Sequence, residues 1–143
     1  MLANNEYVNE HHFSRGLCAR LENNGVFVTK VETGSTLQGV PDLFIQAKGG
    51  DLWIELKIRH KGYSPEEHLE FPWRAGQQAW HMEYYRRHNK KKAVLTLMAL
   101  PCDEFALHWL EQINVANDVN HLHYKVLHGL DNVVNYILDH IKD

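Results

Sequence analysis

Two short apolar runs joined by a glycine pair constrain this chain of 143 residues more than any other feature. Residues 40–46 (Val-Pro-Asp-Leu-Phe-Ile-Gln) and 52–58 (Leu-Trp-Ile-Glu-Leu-Lys-Ile) flank residues 47–51 (Ala-Lys-Gly-Gly-Asp). Strand-length runs around Gly49-Gly50 specify a hairpin. Pro41 falls at the start of its strand, where a missing N–H is tolerated. Because side chains alternate across a strand, Leu52, Ile54, Leu56 and Ile58 share one face, and Trp53, Glu55 and Lys57 share the other. Glu55 and Lys57 therefore project together, and Asp42 begins the strand alongside. Charges set within apolar strands are costly to desolvate unless they pair or bind a ligand.

The rest of the pattern builds layers around that hairpin. Residues 6–24 read as a helix, with Glu10, Phe13, Leu17 and Leu21 at near-helical spacing and Gly25 as the stop. Residues 26–31 read as a strand and 33–39 as a loop. Residues 59–73 form a long loop punctuated by Gly62, Pro65 and Pro72, a length associated with function or mobility. Residues 74–88 read as a helix and 93–100 as a buried strand closed by Pro101. Residues 105–110 fit an edge strand or a helix, 121–126 a strand, and 130–141 an amphipathic helix with Val133, Val134, Ile137 and Ile141 on one face. Helix, three strands, helix, strand is the order of a mixed α/β sandwich. The length suits one domain spanning 1–143.

Charge narrows the class of partner. The net charge is −3, yet residues 56–92 hold nine Lys/Arg against four Glu. A basic segment inside an acidic chain fits a positive binding face with carboxylates gathered elsewhere. No apolar run is long enough for a membrane helix, and residues 1–10 lack the order of a signal peptide. Cys18 and Cys102 lie far apart without metal-type spacing, so both are expected to be buried thiols in a reducing, cytoplasmic setting.

The chemistry that needs two carboxylates and a lysine in this arrangement is metal-assisted phosphodiester hydrolysis. Asp42 and Glu55 offer hard oxygen ligands to Mg²⁺, with Mn²⁺ as a substitute. Lys57 would orient the attacking water or stabilise the charged transition state. Gly39-Val40-Pro41-Asp42-Leu43-Phe44-Ile45 followed by Trp53-Ile54-Glu55-Leu56-Lys57 resembles the motif of the PD-(D/E)xK nuclease superfamily. Within it the chain is most similar to the group of VRR-NUC and archaeal-type Holliday junction resolvases. That group adds a glutamine on the helix after the Glu-x-Lys strand, and Gln77-Gln78-Ala79-Trp80 matches. Gln77 shares a helical face with Trp80 and Tyr84, which favours it over Gln78.

The resemblance covers about residues 10–100 and implies a restriction-endonuclease-like mixed β-sheet flanked by helices, with a C-terminal elaboration from about 101 to 143. It also implies catalysis by Asp42, Glu55, Lys57 and Gln77, with the Leu56 carbonyl as a further metal ligand. The group carries an acid on its first helix. Glu10 lies on the inward face, Glu6 is on a similar one, and the position matched by counting back from Gly25 is Ser14. Ser35, Thr36, Arg59, His60, Lys61 and Arg74 are candidate phosphate contacts. Trp73 and Tyr63 either stack on bases or anchor the long loop. The histidines lack metal spacing, and most should lie on the surface.

The expected activity is an endonuclease acting on branched or otherwise structured DNA. Two cuts per junction would imply a homodimer, and a domain of this size suits a phage or mobile element. Two rivals remain, a catalytically silent nucleic-acid-binding protein on the same fold and a protein-interaction module working through the acidic C-terminal third.

Overall fold

The computed structural model describes residues 5–31, 39–47, 49–88, 92–110 and 124–141. Three helices and six strands follow one another as α1 (Glu10–Asn23), β1 (Phe27–Lys30), β2 (Leu43–Ala47), β3 (Gly50–Ile58), α2 (Ala75–His88), β4 (Val94–Leu100), β5 (Glu104–Trp109), β6 (Lys125–His128) and α3 (Leu130–Ile141). The strands form one sheet in sequential order, β1-β2-β3-β4-β5-β6. Every neighbouring pair is antiparallel except β3–β4, which is parallel and is connected through α2. A parallel pair needs such a crossover, because its second strand must start back at the same end as the first.

The alternation along β3 divides the molecule. Leu52, Ile54 and Leu56 join Leu43, Ile45, Leu95, Leu97, Phe105 and Leu107 in a core covered by Phe13, Leu17 and Leu21 of α1 and Val133, Val134 and Ile137 of α3. On the opposite face, Val94, Met98, Leu100 and Ala106 lie with Leu69, Phe71 and Trp73 of the 59–74 connection, bordered by aromatic residues of α2. Buried Glu55, Lys57, Thr96, His108, Gln77 and His81 make this second face much the more polar one. It carries the candidate site.

Several expectations shift. The first helix starts at Glu10 rather than residue 6, because the Asn9 side chain caps it by accepting from the His12 N–H. Residues 105–110 resolve as a strand that is interior, β5, because β6 pairs along its outer side. The strand expected over 121–126 is β6 at Lys125–His128, and residues 121–123 lie outside the described residues. Cys18 is buried as expected, but Cys102 is exposed on the turn after β4, in a left-handed conformation at φ 64°. No helix among the described residues is long and apolar enough to cross a membrane.

Candidate active site

The site forms where β2 leaves β3. The two strands pair as far as Leu43↔Ile54, so β3 runs on beyond its neighbour. Asp42, one residue before β2, fills the gap: its Oδ2 accepts the Leu56 N–H at 2.8 Å, and its own carbonyl accepts from Val31 N at 2.8 Å. On the other side of β3, Trp53 N donates to Ala93 and Arg59 N donates to Ala99. Odd-numbered backbone groups of β3 thus face β4, and the even-numbered ones face the notch. The N–H and C=O of one strand residue point the same way, so the Leu56 carbonyl opens into the notch beside Asp42.

Glu55 and Lys57 stand on the polar face, 1% and 5% exposed. Gln77 ties them together. Its Nε2 donates to Glu55 Oε1, and its Oε1 accepts from Lys57 Nζ at 2.8 Å. The same Oε1 accepts from Arg74 N at 2.9 Å, which also makes Gln77 the residue that caps the first turn of α2. Lys57 Nζ lies 3.7 Å from Glu55 Oε1. Gly39 lets this assembly close: at φ +86°, a Cβ there would collide with the Gly76 carbonyl and lie 3.1 Å from Trp80 Cβ.

Electrostatics mark the pair of carboxyls as short of positive charge. Burial, then the nearby Asp42 charge, push Glu55 up to about 8, with Lys57 opposing. Burial also raises Asp42, against the Leu56 N–H and Lys57. Glu55 Oε2 is buried and accepts no hydrogen bond, while the Glu55 and Asp42 carboxyls lie within hydrogen-bonding reach of each other. A buried carboxylate oxygen that accepts no hydrogen bond, beside a second carboxyl and a carbonyl, fits a hard divalent cation. Asp42, Glu55 and the Leu56 carbonyl are therefore a fitting donor set, although among the described residues no three His, Cys, Asp or Glu side chains converge as a metal cluster.

The remaining candidates separate by position. Glu10 is the first residue of α1 and is exposed, but burial of its carboxyl raises it while Lys57, Asp42 and Arg74 all act on it. It borders the site without completing a side-chain cluster. Arg74 is exposed at the start of α2, and its charge reaches Glu55, Asp42 and Glu10. His60 and Lys61 are exposed just past β3. Arg59 is engaged within its own loop, donating to the carbonyls of Lys61 and Gly62 and to Glu67 Oε2 at 2.6 Å. Ser35 and Thr36 lie outside the described residues. Trp73 anchors the long loop: it is 9% exposed and donates to Thr96 Oγ1 at 3.2 Å. Tyr63 donates to Glu104 at 3.3 Å.

Sequence reading missed His81 and Gly76. His81 is 1% exposed, edge-on to Trp73 and Trp80, and burial drives it down to about 3. Its position four residues after Gln77 was the available signal, since both must share a helical face. Gly76 mattered through its contact with Gly39, and a glycine inside the first turn of a helix was the clue.

No protein-family model matches this sequence, and no curated protein matches it. Among solved structures, the fold is similar to that of Archaeoglobus fulgidus Hjc, a Holliday junction resolvase from an archaeal hyperthermophile. The TM-score is 0.51 at 18% identity, over 71% of this chain and 78% of that one. The likeness establishes the architecture, an α/β fold built on a mixed six-stranded sheet with flanking helices.

Proposed function

We propose that the protein is a divalent-metal-dependent endonuclease whose catalytic residues are Asp42, Glu55, Lys57 and Gln77. The observation that carries this reading is the notch itself: Asp42 and the backbone of Leu56 joined at 2.8 Å, beside a buried Glu55 oxygen that accepts no hydrogen bond. Similarity of fold to a resolvase supports it, as does the match to the superfamily motif.

Asp42, Glu55 and the Leu56 carbonyl would hold the ion, Mg²⁺ or Mn²⁺, with Glu10 at the margin. When bound, it polarises a phosphodiester and offsets the charge that builds during attack. Lys57, buried and held by Gln77, supplies a fixed ammonium for the attacking water or the developing phosphate charge. Gln77 orients both Lys57 and Glu55 through one amide. Arg74, His60 and Lys61 line the approach as phosphate contacts.

DNA is the substrate, branched or otherwise structured. Resolution of a four-way junction takes two cuts, so a homodimer is expected. The experiment is cleavage of four-way, flap, single-stranded and linear duplex DNA with Mg²⁺, beside Lys57→Ala. Cleavage by the wild type and a loss of roughly 100-fold or more in the variant are expected. Failure to cut any substrate, or equal cutting by Lys57→Ala, would overturn the assignment.

A second reading is a silent nucleic-acid-binding protein on this fold, favoured by the lack of a three-residue metal cluster among the described residues. It predicts DNA binding indifferent to Mg²⁺ and no cleavage products.

A further inference from the structure

An aromatic series leads away from the catalytic notch along α2. Phe44 and Trp53 lie 4.5 Å apart between ring centroids, Trp53 and Trp80 5.4 Å, Trp80 and Tyr84 5.0 Å, and Tyr84 and His88 4.2 Å. The last three residues recur every fourth position on the helix, with Trp80 and Tyr84 stacked at an interplanar angle of 20°. Trp53 is on the β3 face of Glu55, and Trp80 is one turn beyond Gln77, so the series begins at the site.

These rings differ from the other aromatic stack on this face. Phe71 and Trp73 are also stacked, but at 3% and 9% exposure they offer no ring surface to a ligand. Phe44, Trp53, Trp80 and Tyr84 are partly exposed, and His88 is exposed at the helix end.

Charge indicates the occupant. Arg87, on the Trp80 side of α2 near the outer end of the series, is held by Glu83 at 2.6 Å, with exposed Lys92 shortly beyond. A partly exposed aromatic series beside an ordered cation suits a strand that presents flat bases and backbone phosphates together. A protein ligand has no need of that combination. The α2 rings already stack on one another, at 5.0 and 4.2 Å between centroids, so an unpaired base would add to the exposed His88 end of the column rather than enter between its rings.

We propose that the stacked column of Trp80, Tyr84 and His88 forms a platform whose exposed end takes an unpaired nucleobase of a DNA strand leaving the site, with Arg87 on its phosphates. The proposal rests on the nuclease reading for its choice of DNA, and it makes single-stranded arms part of the preferred substrate. Recognition then comes from strand separation rather than from base sequence, because every base has a face to stack.

The test is binding of fluorescein-labelled 15-nucleotide DNA, of RNA of the same sequence, and of a blunt DNA duplex, all in Mg²⁺. Lys57→Ala serves as background so that cleavage does not intrude. Tyr84→Leu and, separately, His88→Ala at the exposed helix end are expected to weaken single-strand binding about tenfold. Both should leave duplex binding within twofold, and Tyr84→Phe should restore the single-strand affinity. Unchanged single-strand binding in His88→Ala and a folded Tyr84→Leu would overturn the platform. So would equal loss on duplex, failure of Tyr84→Phe to restore binding, no single-strand binding at all, or tighter binding of RNA. Wild-type cleavage is read in a separate assay, so its absence would sink the nuclease reading while these affinities still decide the platform.

Discussion

At the scale of single residues, burial holds the Glu55 carboxyl far from its ordinary protonation. Glu55 sits at about 8 in the folded chain against an ordinary 4.5, so the folded state holds the extra proton between those values. Its contribution is full below pH 4.5 and is lost as pH rises through 8. His81 runs the other way. Lowered to about 3 from 6.5, it contributes fully above pH 6.5 and loses that contribution as pH falls through 3. From 4.5 to 6.5 the two oppose each other, which isolates Glu55 above that range and His81 below it. Glu55→Gln is therefore expected to raise stability at pH 8 without metal, by on the order of 2 kcal/mol, while abolishing cleavage. Urea melts of both proteins at pH 6 and pH 8 check it; a variant less stable than wild type at pH 8 would refute the charge argument. His81→Leu should flatten the loss of melting temperature between pH 6 and pH 4, and an unchanged acid limb would contradict a buried neutral imidazole. That Glu55 and Lys57 share a face was legible because β3 alternates strictly. His81 was harder to place, because burial of a histidine depends on what covers the helix, here Trp73 and Trp80.

Among the elements, the decisive contact is between the segment entering β2 and the first turn of α2. Gly39 and Gly76 meet backbone to backbone, and this brings Gln77 over Glu55 and Lys57. Gly39→Ala must either push α2 away or distort the chain ahead of Asp42. A cost of about 1–3 kcal/mol and a loss of cleavage larger than the loss of stability are expected. Thermal melts beside cleavage rates test this; full activity would mean that the close approach is dispensable. The hairpin of β2 and β3 and the helix of α2 could be read locally from Gly49-Gly50, the β3 alternation and the helical spacing. The place of β5 could not, since an interior position is conferred by β6, whose pairing partners lie about twenty residues away. The N-terminal limit of α1 was likewise set by one side chain, Asn9.

Across the whole molecule, the two faces of the sheet do different work. Aliphatic packing of α1 and α3 secures one face. The other gives up aliphatic core to hold Glu55, Lys57, Gln77 and an aromatic surface. The overall α/β architecture was visible in the sequence, as was the concentration of positive charge in residues 56–92, of which Lys57 lies buried on this second face. Which basic side chains are engaged within the chain was less visible: Arg59 is basic in sequence, yet Glu67 and two loop carbonyls engage it. The most direct test of the central claim is calorimetric titration of Mg²⁺ or Mn²⁺ into the wild-type protein, Asp42→Asn and Glu55→Gln. Wild type should bind, both folded variants should bind at least about tenfold more weakly, and binding to wild type should strengthen from pH 6 to pH 8 as Glu55 loses its proton. No heat of binding in the wild type, or equal affinity in the variants, would contradict a metal centre at the notch.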